Sequence, residues 1–298
     1  MLRQSSGDRL FQAANTTFLL LLVALILYPL LYIVSASVSD PTYVNSGQMW
    51  LFPKGFTLEG YNRVFRNADI WTGYMNSIVY TVGGVALNLA VTLPCAYALS
   101  RRNLAGRQAF TLFVVFTMFF SGGLIPTYLL VKSLGLVNTY GALILPSAAS
   151  AINIIVSRTF FQGNVPQEME EAAAMDGCSD FRLFMQIILP LSKALIAVMA
   201  LFYGVGHWNQ YFNALIYLSN RELYPLQLFL REILVQQEIS AQMLTTGSDL
   251  EMDMSEQTRI SELIKYAVMI IAALPLLIVF PFVQKHFVQG VMIGSLKQ

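Results

Sequence analysis

The chain has 298 residues; 56% are hydrophobic and only 12% are Asp, Glu, Lys or Arg, about half the charge share of a soluble domain. Lys and Arg number 18 and Asp and Glu 17, a net charge of +1, so no cationic excess exists to meet a nucleic-acid backbone. With a mean hydropathy of +0.58, the composition excludes a soluble globular domain and a disordered chain alike.

Charge is absent in long blocks. Uncharged stretches cover residues 10–39, 70–100, 108–131, 133–157, 194–220 and 266–284, each at least 19 residues long. A helix needs about 20 residues, at about 1.5 Å each, to cross about 30 Å of hydrocarbon. The spacing predicts an all-α membrane protein with six transmembrane helices. In the first, residues 18–34 exceed the apolar length of a signal peptide, about 7–15 residues. Ser35-Ala36-Ser37 is therefore read as the end of a retained helix and not as a cleavage site. A polar connector follows, containing Pro41, Gly47, Pro53, Gly55 and Gly60. The second helix ends at Arg101, Arg102 and Arg107, whereas the next loop has only Lys132. The excess of Arg puts residues 101–107 in the cytoplasm. Both termini and residues 158–186 then lie inside, and residues 39–71 and 219–260 outside. Gly83-Gly84 and Pro94, Gly122-Gly123 and Pro126, Pro146, and Pro275 and Pro281 are expected to interrupt their helices. Segment 219–260 is expected to hold a surface helix over 223–235, then a flexible loop bearing Asp249, Glu251, Asp253 and Glu256. A solvated linker and a partner-contacting loop both fit it. The expected division is 1–71 (tail, first helix, outer connector), 72–284 (five-helix core) and 285–298 (cytoplasmic tail).

Between the fourth and fifth runs, residues 164–177 form a different kind of connector. Asn164 can cap a helix and Pro166 suits its first turn. Glu168, Glu170 and Glu171 lie near the positive helix end. Ala172, Ala173 and Ala174 are strong helix formers without bulk, and Gly177 can take the left-handed conformation that ends a helix. These residues predict a helix of about 12 residues, about 18 Å long, outside the bilayer. Cys178 or Ser179 restarts a helix leading into the fifth run. Small alanines admit a second surface closely, and acids offer charge-assisted bonds of about 1.5–3 kcal/mol. A docking helix and a plain surface turn both fit.

Glu171-Ala172-Ala173, three residues, Gly177, nine residues, Ile187, one residue, Leu189-Pro190 resembles the EAA signature of the permease subunits of bacterial ATP-binding-cassette importers. The stretches 97–101, 134–139 and 208–212 resemble the carbohydrate-uptake branch of that family, which includes the maltose permease subunits. Residues 120–126 and 289–294 resemble a subgroup for larger, sometimes acidic oligosaccharides. Gln210 departs from the acid found there in many relatives. The similarity covers roughly residues 70–294.

The resemblance implies the permease fold of a type I importer in the cytoplasmic (inner) membrane, with helices two to six as its core. It implies that residues 164–177 are a coupling helix seated in a groove of a cytoplasmic ATPase, with Glu171 as the anchoring acid and Gly177 permitting the turn. The ATPase-coupling set is Glu168, Glu170, Glu171, Ala172, Ala173, Asp176, Gly177, Ile187, Leu189 and Pro190. Implied partners are a second permease, two ATP-binding subunits that hold ATP and Mg, an extracytoplasmic solute-binding protein and a carbohydrate. The chain itself would bind no cofactor.

No Gly-x-x-x-x-Gly-Lys-Ser/Thr occurs, so no phosphate loop of that kind is present. No nucleophile–base pair suggests an enzyme. The centres of the runs carry no Asp, Glu, Lys or Arg, which argues against a proton-coupled carrier; sodium sites built from backbone carbonyls stay open. Amides, hydroxyls and aromatic rings suit a sugar, and Asn153, Tyr203, His207, Trp208, Asn209 and Asn213 are the pathway candidates. Tyr203 and His207, four apart, share a helix face. Hydrogen bonding between helices accounts for the same residues equally well.

Overall fold

The computed structural model describes residues 6–245 and 251–295. Among them the secondary structure is helical, with no strand. In chain order the helices are α1 Ser6–Ser37, α2 Pro41–Asn45, α3 Glu59–Arg66, α4 Ala68–Ser100, α5 Arg107–Phe119, α6 Leu124–Ser133, α7 Gly141–Ile144, α8 Ala151–Asn164, α9 Gln167–Met175, α10 Asp180–Leu183, α11 Leu189–Leu191, α12 Lys193–Trp208, α13 Tyr211–Tyr217, α14 Leu226–Thr245 and α15 Glu251–Ser295.

Among the described residues, three stretches are long and apolar enough to cross a bilayer unbroken: Gly7–Ser37, Ala68–Ser100 and Glu262–Phe282. Three more become spans only as bent pairs. They are α5 with α6, Gly141–Ser147 with α8, and Asp180–Leu191 with α12, bent by 113°, 50° and 81°. Each bend has a local cause. Between α5 and α6, Gly123 caps the second helix at φ 86°, ψ 175°, a region reserved almost wholly for glycine. Pro146 and Ser150 lie at the second break. At the third, Pro190 has no N–H to donate back along the helix. The chain widens there into a π-helical turn, Phe184–Ile188, and α11 ends at Ser192.

Two compact units divide the chain, residues 1–68 with 230–274 and residues 69–229 with 275–298. In the first unit the apolar stretch of α1 is unburied along its length, but the end of the helix is held. Ser35, Ala36 and Ser37 are buried. Ser35 Oγ donates to the Leu51 carbonyl, Ser39 Oγ donates to the Ser35 carbonyl at 2.6 Å, and Tyr61 donates to Ser37 Oγ at 2.9 Å. The connector after α1 is thus ordered. Asp40 caps α2 by accepting from the Thr42 amide.

The second unit has two apolar cores threaded by α4. One gathers Tyr80, Leu143, Ala214, Tyr217 and Leu228. Beside it, Asn76 donates to the carbonyls of Glu222 and Tyr224, and Tyr80 donates to that of Leu223. The other core joins Leu93, Tyr97, Phe161, Ala173, Phe184, Ile188 and Met199. It packs α9 against the last turns of α4.

Three expectations change. Gly83-Gly84 with Pro94, and Pro275 with Pro281, do not interrupt their helices: α4 and α15 continue through them. Of the expected loop, residues 236–245 continue α14 and residues 251–260 lie in α15, which runs 45 residues. Glu251, Asp253 and Glu256 are therefore helical; Asp249 lies outside the described residues. The connector helix is also shorter than 164–177. Asn164 closes α8, its side chain donating to the Phe160 carbonyl, and Pro166 is the cap of α9.

Candidate coupling site

Helix α9 carries Glu168 and Glu170 in its first turn. Its end is a Schellman turn: the Cys178 amide donates to the Ala173 carbonyl at 2.9 Å and the Gly177 amide to that of Ala174 at 3.1 Å. Gly177 has φ +72°, a conformation costing an L-residue about 1–2 kcal/mol. Nothing lies within 4 Å of where a Cβ would sit, so backbone conformation, not space, demands the glycine. Ser179 then caps α10, accepting from the Arg182 amide.

The helix has two faces. Ala173 is buried, and Met169 packs beside it in the core. Glu168, Glu171, Ala172, Ala174 and Asp176 are exposed, and so is Met175, at 89%. Exposed Glu171 accepts from Gln167 at 2.8 Å. Glu170, one residue away, turns inward. Its Oε2 is 2.9 Å from Arg101 Nε, and both side chains are largely buried. Tyr97 Oη donates to Glu170 Oε1 at 3.4 Å and accepts from Arg101 Nη1 at 2.6 Å. The Tyr97 ring stacks on Phe184 at 5.1 Å and meets Phe161 edge-on at 5.7 Å. Asp180 Oδ1 of α10 lies 3.6 Å from Arg101 Nη1. One guanidinium at the end of α4 thereby meets α9 and α10 together. Arg158 of α8 donates to the Leu99 carbonyl at 3.0 Å, fixing the same end of α4. Burial pushes the Glu170 carboxyl above the ordinary carboxylate range, and Asp180 adds to the push. Arg101 and Tyr97 pull it down by less.

Beside this clamp lies a polar cleft of about 840 Å³ whose lining includes Arg101, Arg102, Arg107, Glu168, Glu170 and Glu171. Of the motif's remaining positions, Ile187 is half-buried against the core and Leu189 packs there too, while exposed Pro190 sits just before the bend. The sequence puts Arg101 in the Arg-rich loop and residues 97–101 among the stretches of family resemblance, but gives neither Tyr97 nor Arg101 a place at the coupling helix. Their four-residue spacing at a helix end was the available signal.

The pathway candidates do not converge. Asn153 lines a largely apolar cavity of about 530 Å³ with Ser150, Phe202, Val205, Leu276 and Phe280. Tyr203 and His207 are buried against α4 instead. Tyr203 Oη lies 2.6 Å from Thr92 Oγ1. His207 Nε2 lies 2.7 Å from Asn88 Oδ1, and the Asn88 amide donates to the Ser147 carbonyl. Asn88 therefore offers its oxygen to the ring, which makes Nε2 the protonated nitrogen. Gly84 gives the ring room, since a Cβ there would lie on the imidazole. Trp208 is buried edge-on to Tyr74 at 5.6 Å. Asn209 is exposed and accepts from Gln227 at 3.4 Å. Asn213 is half-buried on α13.

Residues 69–293 match the family model described as the binding-protein-dependent transport system inner membrane component. Protein LplC of Bacillus subtilis (strain 168) is 42% identical over 99% of this chain and 98% of its own length. The polygalacturonan/rhamnogalacturonan transport system permease protein YtcP of the same organism is 41% identical over 97% of this chain and 99% of its own. A crystal structure of a bacterial ABC transporter involved in the import of the acidic polysaccharide alginate contains a chain that superposes with a TM-score of 0.84. That chain is 33% identical, and the match covers 96% of this chain and all of that one. Over three-quarters of its length, then, this chain belongs to the family of binding-protein-dependent transport system inner membrane components.

Proposed function

We propose that this chain is one of two permease subunits of an ATP-driven importer that moves an oligosaccharide, with acidic ones in its range, by alternating access. The observation that carries the coupling half of this reading is α9. It presents exposed Glu171, Ala172, Ala174 and Met175 outward while its other face is packed into the core of the spans. A soluble subunit seated on that face can push the membrane helices without touching them. The substrate class rests on the full-length likeness to a permease named for polygalacturonan and rhamnogalacturonan and on the alginate importer.

The partners are a second permease, two ATP-binding subunits and an extracytoplasmic solute-binding protein. ATP and Mg sit on the ATP-binding subunits and supply the hydrolysis that drives closure. Both termini and α9 face the cytoplasm, in line with the Arg-rich 101–107 loop. The exposed members of the coupling set make contact, and Glu170, Ala173, Ile187 and Leu189 hold the helix in place. Asn153 is the polar group offered to sugar within the 530 Å³ cavity. Replacing Glu171 and Gly177 with arginine tests the reading. Uptake of galacturonan oligosaccharides should stop while the protein stays in the membrane; unchanged uptake contradicts the coupling role.

A further inference from the structure

We infer that Arg101 is a positioning residue that joins the end of α4, α9 and α10 into a single lever. This rests on reading α9 as the docking helix. Three facts carry it. Arg101, directly after α4, meets all three elements: Tyr97 on α4, Glu170 on α9 and Asp180 on α10. Its aromatic support is rigid, because Tyr97 is wedged between Phe161 and Phe184. The third fact is energetic. Burial, with Asp180 beside it, raises the Glu170 carboxyl by more than Arg101 and Tyr97 lower it, so ionising Glu170 works against the fold at this position. Buried pairs of that kind fix geometry rather than stability. The groups facing Glu170 are Arg101 and Tyr97 from α4 and Asp180 from α10; Arg102 and Arg107 line the adjoining cleft, and Glu168, Glu171 and Asp176 lie on or beside α9 itself.

The test uses the whole importer, purified with its ATP-binding subunits and mixed with binding protein loaded from a galacturonan digest. The readout is how far the loaded binding protein stimulates ATP hydrolysis, a signal that must cross the spans to reach α9. Arg101→Ala and Glu170→Gln should still co-purify with the ATPase, yet lose stimulation, taken as the ratio to each variant's own basal rate, by about tenfold. Asp180→Asn, whose carboxylate is 87% exposed, should change stimulation by less than about twofold. The exchange Arg101→Glu with Glu170→Arg should recover more than either single variant. Glu170→Gln should also be no less heat-stable than the parent, which separates positioning from mere packing. If Arg101→Ala fails to assemble, the near-isosteric Glu170→Gln decides alone. Stimulation within about twofold of the parent in an assembled Glu170→Gln complex overturns the lever. An unaltered chain that captures no ATPase refutes the docking reading instead, and the two failures are distinct.

Discussion

Gly84→Ala is the sharpest test of the packing between α4 and α12. The added methyl would fall on the His207 ring, which is buried and has no flexible end to swing aside. Either the helices separate or the imidazole rotates away from Asn88. Rotation breaks the 2.7 Å bond to Asn88 Oδ1 and leaves that oxygen buried, since Asn88 is wholly enclosed. Overpacking a dense interior costs about 1–3 kcal/mol, and a lost hydrogen bond between membrane helices costs about 0.6–2 kcal/mol. The sum, about 1.6–5 kcal/mol, lowers Tm by roughly 3–10 °C at about 2 °C per kcal/mol. A thermal ramp on detergent-purified protein, read by the loss of monodisperse material on gel filtration, measures it. His207→Ala removes the obstacle, so Gly84→Ala added to it should cost nothing further. A Tm within about 1 °C of the parent for Gly84→Ala alone would refute the close approach.

Gly177→Val should lose about 1–2 kcal/mol at the end of α9 through backbone strain alone. Gly177→Asn should lose less, because Asn tolerates the left-handed region; equal uptake by the Val and Asn variants would contradict the strain argument. Glu170 gives an inverted pH response. Its carboxyl is held above its unfolded value by burial, so the folded chain binds that proton more tightly than the unfolded chain. As pH falls through the folded value, this site favours folding while the pair with Arg101 is discharged. Stimulated hydrolysis should therefore fall with acidification before stability does, and Glu170→Gln should flatten that part of the profile. A parent curve that matches the Gln curve rules the effect out.

How much of this was legible in the sequence differs by element. Charge-free runs mark apolar length, so every observed span overlaps one of the six, but the bent ones are displaced: Asp180–Trp208 shares only residues 194–208 with the fifth run. They carry no direction, and the 113° break between α5 and α6 was visible only as Gly122-Gly123. Gly177 was readable because a left-handed turn after a helix has a strong residue preference. Which of Glu170 and Glu171 turns inward was not readable. Adjacent helical residues differ by about 100° in direction, and the neighbour that decides between them, Arg101, lies 69 positions earlier in the chain. Tyr203 and His207 teach the same lesson, since spacing of four gives a shared face but not what covers it. Here α4 covers it, and Thr92 and Asn88 take up both polar ends.

The central claim is that the exposed face of α9 is where a separate ATP-hydrolysing subunit pushes. The direct measurement is a short photo-cross-linker at Met175→Cys, with Cys95 and Cys178 replaced, in the complex purified from membranes. The account predicts capture of an ATP-binding polypeptide from this position, with a yield that changes on adding ATP and Mg, and no such capture from the inward Ala173→Cys. Labelling of position 175 by a membrane-impermeant reagent from outside intact cells, or sugar uptake in a complex where position 175 touches no other chain, would contradict it.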